Sequence, residues 1–263
     1  MKLRPYQQES HDAAVRYMGQ SVDPFCIVAA TGAGKSLIIA ALADTIHAKT
    51  GKRILCLAPS AELVTQNAEK FLATGSPASI YSASAGGRCL RHKVVFASPL
   101  TVKNRISAFQ KHGADGYALI VLDECHQITP TIKGIIDAIR VANPNVRVCG
   151  LTATPYRLGS GYIFAKWPDG KVNGDKTCRN PYFTQCVDEI GARALIDMGY
   201  LTPPVIGEIN TDGYDTGALV ANRMGNFDKA AVDQAYHGHG RKTSAIVADI
   251  VPCAKRGAGD AER

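Results

Sequence analysis

No two of the eight cysteines in this 263-residue sequence stand in CxxC spacing. That lack removes the usual signature of a zinc ribbon or a dithiol redox site. Cys26, Cys56, Cys125 and Cys149 lie in or beside apolar runs, where a thiol behaves as a small hydrophobe. The expectation is a reduced, cytoplasmic protein with no disulfide framework. No apolar run approaches the roughly 20 residues that cross a bilayer. Met1-Lys2-Leu3-Arg4-Pro5-Tyr6 has no apolar core of the kind a secretory signal requires.

What is present is the composition of a packed globular protein, 46% hydrophobic, long enough for one large domain or two ordinary ones. Lys and Arg number 30 against 23 Asp and Glu, a net charge of +7. An excess of that sign suits a polyanionic partner, nucleic acid first.

The stretch around which the rest is arranged is Ala29-Ala30-Thr31-Gly32-Ala33-Gly34-Lys35-Ser36. The apolar run Phe25-Cys26-Ile27-Val28 before it reads as a buried strand, and Leu37-Ile38-Ile39-Ala40-Ala41-Leu42 after it as a buried helix. A strand, a small-residue turn and a helix opening with Lys-Ser make a phosphate-binding loop. Its glycines let backbone N–H groups converge on an anion, and the helix N-terminus adds partial positive charge there. Thr31, Gly32, Ala33 and Gly34 would line the phosphates. Lys35 would carry a full charge to the β- and γ-phosphates, and the Ser36 hydroxyl would reach Mg²⁺.

A second decisive stretch is Tyr117-Ala118-Leu119-Ile120-Val121-Leu122-Asp123-Glu124-Cys125-His126. A buried strand that ends in two carboxylates is costly unless a cation sits beside them. A nucleotide's Mg²⁺ at the neighbouring strand end is such a cation, with Asp123 as its holder. Glu124 would then orient and polarise the attacking water, with His126 beside it. A third strand, 146–151, ends in Thr152-Ala153-Thr154-Pro155. The hydroxyls of Thr152 and Thr154 could bond to the acidic pair and report its state.

Other strand ends follow the same rhythm. Residues 53–58 read as a strand that runs into Pro59 and Ser60, and Ser60 is a natural N-cap for a helix over 61–72. Ser60, Glu62 and Gln66 there, and Ser98 after a strand over 93–97, are candidates to face a nucleic-acid backbone. Residues 78–81 form a further short strand, and 82–92 a surface loop. Helices are expected over 5–18, 35–49, 101–110, 131–141 and 188–198. In the first of these, the Gln7 amide could donate to and accept from one adenine edge.

These motifs, in this order, resemble those of superfamily 2 helicases. Ala30 to Ser36, Asp123-Glu124-Cys125-His126 and Thr152-Ala153-Thr154 resemble its motifs I, II and III. Leu3-Arg4-Pro5-Tyr6-Gln7 resembles its adenine-reading segment, which places Arg4 and Gln7 at the nucleotide. Ala58 to Val64 with Gln66 resembles motif Ia, and Ser98-Pro99 motif Ib. More narrowly, Gly150-Leu151-Thr152-Ala153-Thr154-Pro155-Tyr156-Arg157-Leu158-Gly159 and Gly199-Tyr200-Leu201-Thr202-Pro203-Pro204 are similar to bacterial RadD-like helicases of DNA repair. The resemblance implies a RecA-like α/β domain with a mostly parallel sheet flanked by helices. It implies ATP and Mg²⁺ as cofactors, ATP hydrolysis stimulated by DNA, and a nucleic-acid track, DNA before RNA. Ala29 stands where the loop's first Gly is usual, and nothing here resembles motifs IV, V or VI. The arginine fingers of a second RecA-like domain are therefore expected outside this chain.

Residues 1–200 are read as the ATP-binding domain, with a basic and aromatic hairpin insertion over 156–187 that turns at Pro168-Asp169-Gly170. Arg157 opens that insertion and is a further nucleic-acid candidate; the alternative is rings that merely pack on the domain. Residues 201–263 are read as a linker and the incomplete start of a second domain. A strand over 205–209, helices over 222–236 and 243–254, and a frayed end are expected there. Two alternatives to a helicase stay open: a motor that tracks duplex DNA without separating strands, as in restriction subunits, and a nucleotide- and DNA-binding module without turnover of its own.

Overall fold

The computed structural model describes residues 2–157, 160–203, 220 and 228–232. The chain divides into two units, Met1–Leu201 and Thr202–Arg263. The first alternates helix and strand: α1 (Pro5–Gln20), β1 (Phe25–Ala29), α2 (Lys35–Thr50), β2 (Arg53–Leu57), α3 (Ala61–Leu72), β3 (Ala78–Ser82), β4 (Gly87–Arg88), β5 (Val94–Ala97), α4 (Pro99–Lys103), β6 (Tyr117–Leu122), α5 (Pro130–Ala142) and β7 (Arg147–Thr152). Four short or late strands follow, β8 (Tyr156–Arg157), β9 (Gly161–Tyr162), β10 (Phe164–Lys166) and β11 (Phe183–Ile190), then α6 (Ala192–Asp197).

Nine strands make one sheet in the order β10-β11-β1-β7-β6-β2-β5-β3-β4. Every pairing in it is parallel except β3 with β4. Parallel strands need crossover helices, and these cover both faces of the sheet. Phe25, Ile27 and Ala29 of β1 pack into one core with residues of α1, α2 and α3. Cys26 and Val28 point the other way, into a second core with Ile135, Ile136 and Ile139 of α5. Burial on both faces is why these strands read as continuous apolar runs rather than alternating ones. The fold is thus the expected doubly covered, mostly parallel α/β sheet.

Three expectations are corrected. The helix expected over 101–110 is α4, which starts earlier because Pro99 fits the first helical turn. It stops at Lys103, Arg105 leaves the helical region, and a 3-10 turn over Ile106–Phe109 carries Phe109 into the core. The helix expected over 188–198 is α6 alone, since residues up to Ile190 belong to β11. Residues 156–187 do not stand apart as an insertion. β8 and β9 form a small hairpin, and Trp167 to Lys171 closes a turn about Pro168-Asp169-Gly170, but β10 and β11 join the main sheet beside β1. Tyr162, Phe164 and Trp167 pack on one another with ring centres 5.0–5.5 Å apart, so those rings serve the domain. In the expected loop over 82–92, Gly87 and Arg88 pair with the edge strand β3.

In the second unit, residues 229–232 make one helical turn, with the Ala230 and Ala231 N–H groups donating to Asp228 Oδ1. The strand expected over 205–209, the helix over 243–254 and the rest of 222–236 lie outside the described residues.

Candidate active site

β1, β7 and β6 are neighbours in the sheet, so the segments that follow them meet at its carboxyl edge. The loop after β1 turns through two left-handed glycines, Gly32 (φ 83°) and Gly34 (φ 79°), and α2 starts at Lys35. At Gly34 a side chain is excluded twice over. The φ disfavours any L-residue, and a Cβ there would lie 2.5 Å from Gln7 Nε2. The first N–H groups of α2 have no intrahelical acceptor and face the same concavity.

Lys35 Nζ lies 3.5 Å from Glu124 Oε1. Glu124 has φ 49°, the one left-handed non-glycine among the described residues. That conformation is costly and is the kind found where a functional side chain is aimed. It turns the carboxylate toward two partners, Lys35 through Oε1 and His126 Nδ1 through Oε2 at 3.2 Å. His126 Nδ1 also lies 2.9 Å from Thr152 Oγ1. Thr152 is fully buried, and its hydroxyl accepts the Thr154 N–H at 3.0 Å. Lys35, Glu124, His126, Thr152 and Thr154 therefore form one polar chain across three strand ends. Burial lowers the pKa of His126; the Glu124 charge raises it, and the Arg157 and Lys35 charges lower it.

Asp123 is almost buried, at 8% exposure. Burial raises its carboxyl above the usual range, opposed by the amide of Asn67, which donates to Oδ2 at 2.8 Å. Its Oδ1 accepts the Glu124 N–H at 2.9 Å. Asn67, on α3, is the functional residue that the sequence reading missed. It sits one residue beyond Gln66, and no pattern in the sequence ties it to a carboxylate 56 positions away.

A nucleotide with Mg²⁺ fits these residues. The loop offers convergent N–H groups and Lys35. Each Asp123 oxygen has accepted one hydrogen bond and keeps a lone pair, and the Ser36 hydroxyl stands in the first turn of α2.

The remaining expected residues are placed as follows. Gln7 is buried, and its amide is engaged within the protein: Oε1 accepts the Arg4 N–H, and Nε2 donates to Ala33 O at 2.9 Å. It braces the phosphate loop from α1 and holds Ala33, itself fully buried, from behind. The Tyr6 hydroxyl donates to the same carbonyl at 3.1 Å. Arg4 is exposed and stacks over the Tyr200 ring at 4.7 Å. Thr31 and Gly32 are exposed at the loop's crest. Ser60 caps α3 by accepting the Leu63 N–H, which leaves Glu62 and Gln66 exposed on its first turns. Ser98 shares a hydroxyl bond with Thr101 at 2.8 Å and lines a cleft of about 430 Å³ together with Pro59 and Asp123. Arg157 does not line that cleft; it lines a second pocket together with His126.

A parallel sheet of this order, with a phosphate loop after one strand and Asp-Glu-Cys-His after another, is the ATP-binding half of a superfamily 2 helicase. A family profile described as the Type III restriction enzyme, res subunit, matches residues 1–157, and the chain belongs to that family. No match is found among curated proteins. Among solved structures the chain is similar to a nuclease-deletion mutant of the Type ISP restriction-modification enzyme LlaGI in complex with a DNA substrate mimic. That match has 18% identity and a TM-score of 0.51, covering 76% of this chain and 21% of that one. The Type ISP enzyme LlaBIII bound to DNA is 17% identical with a TM-score of 0.52, over 76% of this chain and 16% of that one. UvsW of bacteriophage T4 is 23% identical with a TM-score of 0.50, over 72% and 34%. At such identities the likeness is one of fold, and the chain spans about a third or less of the length of these three.

Proposed function

We propose that this chain is the ATP-binding lobe of a motor that hydrolyses ATP and moves along DNA. The observation that carries this is the meeting of Lys35 with Glu124 across two strand ends, with the nearly buried Asp123 beside them. Lys35 and the loop N–H groups would hold the phosphates, and Ser36 and Asp123 would hold Mg²⁺, which when bound neutralises phosphate charge. Glu124 would accept the proton of the attacking water, and its bond to His126 fixes the carboxylate's direction. His126, its pKa lowered, would pass the state of Glu124 to Thr152 and so to Thr154 and β7. The DNA track would cross the α3 and α4 N-termini at Ser60, Glu62, Gln66 and Ser98.

Restriction-modification enzymes with DNA among the similar structures are compatible with a duplex-tracking motor as well as with a strand-separating one. A repair role of the RadD type rests on residues 150–159 and 199–204 alone. No helix among the described residues is long and apolar enough to cross a membrane.

The test is ATP hydrolysis by the chain with and without single-stranded and duplex DNA. Lys35→Ala should lose nucleotide binding, and Glu124→Gln should bind ATP but not turn it over. An unchanged rate in Glu124→Gln would overturn the assignment. Binding by the wild type without turnover would make the chain a half-site that needs a second lobe.

A further inference from the structure

His126 also lines a pocket of about 110 Å³, to which Lys35 does not contribute. His126, Lys133, Arg157, Asn180 and Tyr182 supply its polar lining, and no carboxylate contributes to it. Among the described residues neither Lys133 nor Arg157 takes part in an ion pair. The Tyr182 ring lines the pocket, while its hydroxyl is buried, finds no hydrogen-bond partner among the described residues and feels the charges of Arg140 and Asp137. Lys133 Nζ stands over the Tyr182 ring at 5.8 Å, and Arg157 is close enough to act on the charge of His126. The wall opposite is apolar, from Ile128, Ile163 and Phe183. Two cations and an amide donor around a small space specify a compact anion rich in acceptors. The volume equals that of about four waters at ~30 Å³ each, enough for one tetrahedral oxyanion and too small for a nucleotide.

We propose that this pocket binds inorganic phosphate, the product of hydrolysis, after it passes His126. The proposal rests on the ATP-hydrolysis reading for its source of phosphate. The route is short. Glu124 bonds Lys35 with one oxygen and His126 with the other, so the hydrolytic centre and the pocket share one wall. Phosphate held there is separated from the nucleotide's diphosphate by the His126 ring, which opposes re-synthesis and leaves a state in which only diphosphate occupies the loop. A phosphodiester of the DNA track has the same acceptor chemistry, and the test separates the two.

Inorganic phosphate is titrated calorimetrically into the full chain carrying Lys35→Ala, which removes the loop's own affinity for phosphate. One phosphate should bind. Adding Arg157→Gln or Lys133→Gln should weaken it about tenfold, the value of one charge-assisted hydrogen bond. No binding in Lys35→Ala, or equal binding in the Arg157 and Lys133 variants, overturns the site. Loss of bound phosphate on adding a short oligonucleotide reassigns the pocket to the track and overturns the proposal as well. Wild-type ATP turnover is measured in parallel. If it is absent while phosphate still binds, the chain is a half-site and the assignment of the bound phosphate as its product falls; if turnover is present without phosphate binding, only the pocket falls.

Discussion

Replacing Asn67 by Ala tests how the buried Asp123 carboxylate is kept charged. Asn67 is 1% exposed and Asp123 8%, and the amide donates to Oδ2 at 2.8 Å. A hydrogen bond to a charged group contributes about 1.5–3 kcal/mol. With about 2–4 °C lost per kcal/mol in a domain of this size, the melting temperature should fall by roughly 3–12 °C near neutral pH. The sign of the pH dependence separates this bond from a simple loss of packing. Burial already raises Asp123 above the ordinary carboxyl value, and Asn67 opposes the rise. A carboxyl with a raised folded pKa gives its stability below the unfolded pKa and loses it as pH climbs through the folded one. Without Asn67 the folded pKa rises further, so the penalty is full where the carboxylate is charged and shrinks where it is protonated. Thermal melts of wild type and Asn67→Ala between about pH 4 and pH 8 should therefore converge toward acid. A gap constant across that range would refute the reasoning and leave the truncated volume as the cause.

Gly34→Ala should lose ATP binding and about 1–3 kcal/mol of stability, read by urea unfolding, because φ 79° and a Cβ 2.5 Å from Gln7 Nε2 force the loop or the Gln7 strut to move. His126 has its pKa lowered chiefly by burial, so its stability contribution should be complete above about 6.5 and fall as pH drops through the unfolded and then the folded pKa. His126→Asn should flatten that slope in unfolding measured from about pH 5 to pH 8, and a slope as steep as wild type would sink the assignment. Cys89 is exposed, and the Arg91 N–H and the Ser79 hydroxyl pull its thiol below the usual value, while burial pushes Cys26, Cys56, Cys125 and Cys149 up. Of the seven described cysteines, Cys89 should be alkylated first in a timed mass-spectrometric experiment, ahead of those four by orders of magnitude.

What could be read in advance was whatever depended on local chemistry. The strands that became β1, β2, β5, β6 and β7 are buried on both faces, so their apolar runs were unambiguous. Ser60, Gly51 and the phosphate-loop glycines mark boundaries through backbone geometry that only such residues satisfy. β11 escaped because Phe183-Thr184-Gln185-Cys186-Val187-Asp188-Glu189-Ile190 carries polar residues through its length. Its Asp188 is placed by a partner 178 residues away, since the Ser10 hydroxyl on α1 donates to it. The same distance hid Asn67. Gln7 was legible as a residue of the nucleotide end but not in its manner of action, because a bond to a loop carbonyl 26 positions later has no local signature. Arg157 was read as a DNA contact from its basic and aromatic company; the fold leaves it exposed on β8, lining a pocket with His126 that no local pattern announced.

The order of the strands explains why these residues act together. Along the chain the three motifs lie at 30–36, 123–126 and 152–154, and the acidic pair comes second. In the sheet β7 lies between β1 and β6, so Thr152 stands between the phosphate loop and the acidic pair. From that middle strand Thr152 bonds His126 through its hydroxyl and accepts the Thr154 N–H two residues further along. Because Thr152 is fully buried, a broken bond on either side cannot be replaced by water and costs about 1–3 kcal/mol. We propose that a change in the Glu124–His126 pair passes through these bonds to residues 153–157. Thr152→Val, which keeps the shape and removes the hydroxyl, should then uncouple the strand end from the charge state of the site.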